Sequence, residues 1–258
     1  LKTLSLYEKK NTIIHKVDPI TKILYIILAF VVPIILPNKI IALAVLTLSL
    51  IFLCFGKVLK RVVPIIGFSF IVLLSVIVIQ GLFKSGNKTE AFKLGGLIFY
   101  KEGLSYALGI CLRVLNILCS VSILILTTKP SDLIEAFVRR GLSPKIGYVL
   151  SSVLQLIPQM TSTMSKITDA QRSRGMETEG NIIVRLKAFL PLIAPVTMNS
   201  LTSTRERSMA LEVRAFDSKE KKTFLNEEEI HKGNKFIRLS IMLVLILSII
   251  WRIFIWKR

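Results

Sequence analysis

The chain has 258 residues, of which 52% are hydrophobic, with a mean hydropathy of +0.64 and a formal net charge of +19. The apolar residues come in blocks, and such blocks read as membrane spans. The basic residues fall between them, as in the cytoplasmic loops of a membrane protein, so the charge does not indicate nucleic-acid binding.

The first twenty residues are polar and contain lysine, without the apolar core and small-residue cleavage site of a secretory signal peptide. The chain begins with Leu1, which leaves a missing start or an unusual start codon open. A first span is predicted from about Thr21 to Leu36, and Pro37-Asn38-Lys39 turns it into a second, Ile40 to Phe55. The second reaches only ~24 Å against an apolar core of ~30 Å, so Lys39 and Lys57 are expected to snorkel from its ends. After the basic loop from Gly56 to Arg61 comes a third span, Val62 to Phe83. A polar loop, KSGNKTEAFKLGG, leads into the fourth, Gly103 to Leu126.

Cys54, Cys111 and Cys119 lie in apolar stretches without metal-ligand spacing and read as small buried hydrophobes. Arg113 falls near the middle of the fourth span, where a lone arginine costs ~2.5–3.5 kcal/mol, so it must face a partner or the protein interior. Asn116, one turn on, shares its face.

The region from 129 to 235 is too apolar for a linker. SDLIEAFVRRG reads as a short amphipathic helix with Ser131 or Asp132 as N-cap and Gly141 ending it. Ser143-Pro144 opens a longer helix with an apolar stripe at Ile146, Val149, Val153, Ile157, Met160, Met164 and Ile167. A third begins near Asn181, has Leu186, Leu190, Ile193 and Leu201 on one face, and ends at Arg214. Neither long helix has an apolar window that comfortably spans, so both are expected at the cytoplasmic membrane surface. Pro158, Pro191 and Pro195 are expected to kink or segment them.

A fifth span, Phe236 to Trp256, closes an all-α, polytopic membrane helical bundle of about five transmembrane helices. Lys2, Lys9, Lys10, Lys16 and Lys22, then Lys57, Lys60 and Arg61, then Arg139, Arg140 and Lys145 all fall on one side. The positive-inside rule makes that side, and the N-terminus, cytoplasmic. Five crossings place the C-terminus outside, with Lys257-Arg258 weighing the other way. These spans set domain boundaries at 1–128, 129–235 and 236–258.

Catalytic constellations are absent. His15 and His231 both lie in polar stretches, and there is no H-E-x-x-H, G-x-S-x-G or Walker A pattern. No cofactor or metal site is expected. Arg172, Arg185, Arg205 and Arg207 read as solvated surface residues. Arg174 and Arg214 differ because small residues flank them, in Ser173-Arg174-Gly175 and Val213-Arg214-Ala215. Such flanks let a guanidinium enter a groove, where its planar fork suits a carboxylate.

Four blocks carry a resemblance. HKVDPITKIL (His15 to Leu24), the stretch from Thr127 to Met160, AQRSRG (Ala170 to Gly175) and ERSMALEVRAF (Glu206 to Phe216) together resemble the transmembrane T component of energy-coupling factor (ECF) transporters. That resemblance implies a cell-membrane protein with two long coupling helices that cross beneath the bilayer. It implies partners too: two cytoplasmic ABC ATPases, as a homo- or heterodimer, and a membrane substrate-binding S component. Each arginine signature would enter a groove on one ATPase, and ATP-driven closure would be passed to the S component for uptake of a vitamin or transition-metal ion. The subunit itself would not be an enzyme. One alternative is the membrane subunit of a conventional ABC importer, echoed by Glu135-Ala136 with Gly141 and by Ile157-Pro158. A membrane-embedded enzyme using Arg113 would lack a convergent acid, base or nucleophile.

Overall fold

The computed structural model describes residues 7, 10, 12–84, 89–94, 97–175, 181–218, 220, 223–224 and 232–256, with side chains at all of these except 92–94, 97, 182–190, 232–233 and 255–256. Lys2, Lys9, His231 and Lys257-Arg258 lie outside the described residues, as do the side chains of Arg185, Leu186 and Leu190. Among the described residues there are nine helices and one two-stranded sheet. They fall into two compact units, one within Phe137–Glu228 and the other within Ser5–Ala136 and Glu229–Arg258.

The membrane unit begins with a single turn, α1 (Ile13–Lys16), and then α2 (Pro19–Ile35). Asp18 caps α2 by accepting from the Ile20 N–H at 3.3 Å, with Pro19 at the first helical position, where its missing N–H costs nothing. Next come α3 (Lys39–Phe55), capped by the Asn38 side chain, and α4 (Leu59–Phe83). A hairpin of β1 (Glu90–Leu94) and β2 (Leu97–Tyr100) precedes α5 (Lys101–Thr127), and α6 (Pro130–Val138) follows it. The boundary between the units falls within α6.

Each of the five apolar segments is thus a single helix. The apolar stretches of α4, α5 and α9 (Lys232–Trp256) are long enough to cross a bilayer. The 17-residue α2 and α3 reach ~25 Å against ~30 Å. Of the three long ones, α5 has 39% of its apolar window buried, against 11% for α4 and for α9. It is the central helix. Tyr25, Leu28 and Val32 of α2, Val45 and Leu53 of α3, and Cys119, Ile123 and Leu126 of α5 form one core.

In lipid the tails are as apolar as leucine, so close packing and interhelical hydrogen bonds hold such a core. Both are present. The Tyr25 and Ser49 hydroxyls share a hydrogen bond of 2.6 Å, and Tyr25 meets Phe52 edge-on at 5.2 Å. A Cβ on Gly103 would run into the Gln80 carbonyl, so α4 and α5 approach closely there.

The loop expected before the fourth span contains an antiparallel hairpin, pairing Phe92 with Phe99 and Leu94 with Leu97. Two short apolar-polar runs around Gly95-Gly96 are a hairpin signal that the polar reading passed over. Lys22 also departs from expectation. It is a buried hydrogen-bond donor, not a loop cation.

The other unit contains α7 (Pro144–Ser173) and α8 (Ile182–Val213). The helices run unsegmented through Pro158, Pro191 and Pro195. Their contacts pair Lys145 with Asp217 as an ion pair, Tyr148 with Phe216 at 5.2 Å between rings, and Gln159 with Arg207 at 2.8 Å. Position rises along one partner as it falls along the other, so the pair is antiparallel through this contact. Much of the α7 stripe stays uncovered: Ile146, Val149, Val153, Ile157 and Met160 are all exposed.

Candidate functional site

The ends of α7 and α8 share one backbone conformation. Arg174 is the C-cap of α7 (φ −88°, ψ 8°) and Arg214 the C-cap of α8 (φ −83°, ψ 9°). Each is followed by a left-handed residue, Gly175 at φ 87° and Ala215 at φ 51°. The Ala215 N–H donates to the Glu212 carbonyl at 2.9 Å and the Phe216 N–H to the Leu211 carbonyl at 3.0 Å, which is a Schellman motif. At α7 the Gly175 N–H makes the equivalent bond to the Arg172 carbonyl at 2.9 Å.

The left-handed region is open to glycine, but a Cβ there costs about 1–2 kcal/mol. The next two residues hold Ala215 in it. Phe216 packs on Tyr148 and Asp217 pairs with Lys145, so the turn is determined from both sides. Gly175 and Ala215, read from the sequence as small flanks, are the residues at which the two helices end.

Arg174 and Arg214 are exposed, and neither side chain has a partner among the described residues. Cations at helix C-termini gain ~0.3–1 kcal/mol from the helix dipole, which favours arginine here without fixing where its fork points. Ser173 is exposed and bonds back to the Asp169 carbonyl at 3.1 Å, and Val213 is 88% exposed beside Arg214. Each end therefore offers an exposed guanidinium, without a side-chain partner among the described residues, beside a small or apolar neighbour.

A third end is built the same way. Arg140 precedes Gly141 at φ 112°, and the Leu142 N–H donates to the Phe137 carbonyl at 3.1 Å. The sequence reading placed this helix end at Gly141 but did not group it with the other two arginine ends. Arg140 is engaged within the chain, and Arg139 lies 4.5 Å from the Phe224 ring, so this end is not bare. Arg207 also differs from its reading as a solvated residue, because Nη2 donates to the Gln159 Oε1 and ties α8 to α7.

Arg113 and Asn116 share one stretch of α5 but do different things. Asn116 is fully buried, and its Nδ2 donates to the Ala42 carbonyl of α3 at 2.9 Å while Oδ1 has no partner among the described residues. Arg113 is half-buried and lines a cavity of about 400 Å³. No hydrogen bond joins the two.

Asp18, Lys22 and Arg238 were not singled out from the sequence. The Asp18 carboxylate pairs with the Arg238 guanidinium, whose Nε also donates to Thr21 Oγ1 at 3.0 Å. Lys22 Nζ donates to the Thr127 carbonyl at 3.1 Å and Thr128 Oγ1 at 3.0 Å, capping the end of α5. The available signal was a charge inside each apolar segment, Lys22 in the first and Arg238 in the fifth. Among the described residues no group of three or more His, Cys, Asp or Glu is placed to hold a metal ion.

A family model described as Cobalt transport protein, CbiQ, matches residues 10–224. Among curated proteins, the chain is similar to the energy-coupling factor transporter transmembrane protein EcfT of Clostridium kluyveri, at 30% identity with 97% of each chain covered. It is also similar to the proteins of that name from Staphylococcus aureus, at 28% with 83% of each covered, and from Lactococcus lactis subsp. cremoris, at 28% with 95% of this chain and 96% of the other covered.

Proposed function

The chain belongs to the CbiQ family and is a transmembrane component of an ECF-type transporter, and from that we propose that it carries the motion of two cytoplasmic ABC ATPases to a membrane substrate-binding S component. One observation supports this above others. Two long antiparallel helices end in the same capped turn, each with an exposed arginine that has no side-chain partner among the described residues.

In this reading Arg174, with Ser173 and Gly175, enters a groove on one ATPase, and Arg214, with Val213 and Ala215, enters the groove on the other. The C-cap turn stops each helix at the arginine, which places an exposed guanidinium at the helix end. A carboxylate in the groove would meet the fork in a bidentate pair. Rigid helices of 30 and 32 residues then pass the movement on as levers.

The organisation we propose is a membrane domain at 1–128, coupling helices at 129–235 and a last span at 236–258, in the cell membrane with the N-terminus inside. Lys10, Lys57 and Lys129 lie at the end of the membrane unit that this orientation makes cytoplasmic, with Lys10 Nζ donating to the Lys57 carbonyl at 2.7 Å. Hydrolysis belongs to the ATPases, and the cargo is a vitamin or transition-metal ion held by the S component. The test is co-purification of the ATPases with Arg174→Ala, Arg214→Ala and a control, Arg205→Ala. Retention of the ATPases by the first two at the level of the control rejects the reading.

A further inference from the structure

Arg113 raises a question that ATPase coupling does not answer. It stands twelve residues beyond Lys101, ~18 Å along α5, in a helix long and apolar enough to cross a bilayer. Ionisable side chains at such depth face a protein interior or a wet cavity. Here the cavity of about 400 Å³ supplies that environment. Glu102, Ser105, Tyr106, Gly109 and Arg113 line it at spacings of three and four, so one face of α5 forms its wall. Side chains on a helix tilt toward its N-terminus, which aims Arg113 toward the Lys101 end, where Lys39 and Lys84 also line the cavity.

The charges do not cancel. Three cations, Lys39, Lys84 and Arg113, face one carboxylate, that of Glu102. Glu102 is already engaged, accepting from the Thr89 N–H at 3.2 Å and from its hydroxyl at 2.7 Å. Lys39 donates to the Ser105 hydroxyl, and Lys84 lies 4.3 Å from the Tyr106 ring centre and donates to the Glu102 carbonyl at 3.4 Å. Each ammonium has three donors, so both keep capacity, and Arg113 has no side-chain partner among the described residues. The volume falls within the ~300–1,000 Å³ usual for small-ligand sites.

A second groove adjoins the first. It shares Pro37 and Lys39 with the cavity, and Leu36, Ile40, Ile41 and Trp251 give it an apolar lining with Arg252 at its side. Lys39 thus stands between a cationic cavity and an apolar groove, both at the end of the membrane unit away from Lys10, Lys57 and Lys129. An anionic head on an apolar tail matches that pair of surfaces, whereas a free anion would use only the first.

We propose that this cavity and groove bind one anionic phospholipid of the leaflet opposite the basic loops, its phosphate held by Arg113, Lys39 and Lys84 and an acyl chain lying along Leu36, Ile40, Ile41 and Trp251. The guanidinium fork takes two phosphate oxygens and the ammonium groups act as point charges. Gly109 provides a test that leaves every charge in place, since a Cβ there meets only open space and a larger side chain would fill the cavity.

The experiment uses the full chain, delipidated in detergent and titrated with phosphatidylglycerol or phosphatidylcholine of matched acyl chains under native mass spectrometry. Phosphatidylglycerol should bind at least tenfold more tightly. Arg113→Gln, Lys39→Gln with Lys84→Gln, and Gly109→Leu should each bring it to the phosphatidylcholine level, while Lys57→Gln, at the other end, and Arg174→Ala should leave it unchanged. Equal binding of the two lipids, or undiminished binding by Gly109→Leu and by the lysine pair, overturns the proposal. Displacement of the lipid by millimolar inorganic phosphate overturns the lipid assignment in favour of a soluble anion. Loss of a co-purifying membrane subunit from Arg113→Gln, with lipid binding intact, overturns it in favour of a protein partner.

Discussion

Lys22 and Arg238 direct their donors inward, to the end of α5 and to Asp18, whereas Arg174 and Arg214 end their helices exposed and without partners among the described residues. All four sit at or near helix ends in a chain with a net charge of +19, and composition alone does not separate them. Their surroundings do. Lys22 is buried, and so is Asp18, the carboxylate that Arg238 pairs with, so each must be satisfied locally. Arg174 and Arg214 lie where a helix has just stopped, each exposed and each followed by a left-handed residue. Inward cations hold the bundle together; outward ones are available to another protein.

The sharpest way to break this contrast is to remove the outward pair. Removing one partner of a buried charge pair costs ~2–5 kcal/mol, so Arg174→Ala and Arg214→Ala should each weaken ATPase association by ~30- to 5,000-fold. The double variant should lose association and transport while the membrane unit keeps its thermal unfolding midpoint in detergent. Lysine at either position should recover part of the loss, having the charge without the fork. Arg207→Ala is a poor control because it frees Gln159, so Arg205→Ala is the better comparison.

Asp18→Ala should do the reverse. It leaves Arg238 without its carboxylate, and breaking such a pair costs ~3–5 kcal/mol, here at the low end because Arg238 keeps 28% of its side-chain surface exposed. The expected outcome is a lower unfolding midpoint and reduced yield, with unchanged ATPase binding per folded molecule. Association lost at full stability would show that Asp18 is also an outward-acting residue.

Smaller effects probe the turns and the buried amide. Ala215→Gly should stabilise the chain by about 1 kcal/mol in chemical unfolding, because glycine enters the left-handed region without strain. A loss of stability instead would mean that the Ala215 methyl packs usefully. Asn116→Leu should fall within ~1 kcal/mol of wild type, since the interhelical bond to Ala42 and the unpaired Oδ1 disappear together. A larger loss would identify a partner for Oδ1.

Much of this architecture was legible because it is local. The five apolar helices, the short link at Asn38 and the ends of α7 and α8 arise from hydropathy, capping residues and glycine placement. Pairings distant in sequence were not legible. Nothing near Asp18 indicates Arg238, and nothing near Gln159 indicates Arg207, since these contacts exist only once the helices pack. Lys22 was misread for a related reason: a lysine at the edge of an apolar block looks the same whether it snorkels out or caps a neighbouring helix. The hairpin before α5 had its signal in Gly95-Gly96, but the lysines around it made the stretch look like plain loop. The prolines inside α7 and α8 weaken a helix without fixing where it ends.

The antiparallel packing of α7 and α8 has a consequence in symmetry. Two antiparallel helices are related by a dyad perpendicular to both, and the dyad of this pair exchanges the Arg174 end with the Arg214 end. Arg214 lies next to Phe216, level with Tyr148 near the start of α7, so the two arginines are separated by on the order of 35 Å along the pair. Most soluble homodimers are themselves two-fold symmetric. Under the proposed coupling, this pair would address both halves of such a dimer, its dyad laid along theirs. The exchange is inexact at the tips, where Ser173 and Gly175 stand for Val213 and Ala215 and Arg172 stands for Glu212, and such differences are where a preference for one half over the other would be written.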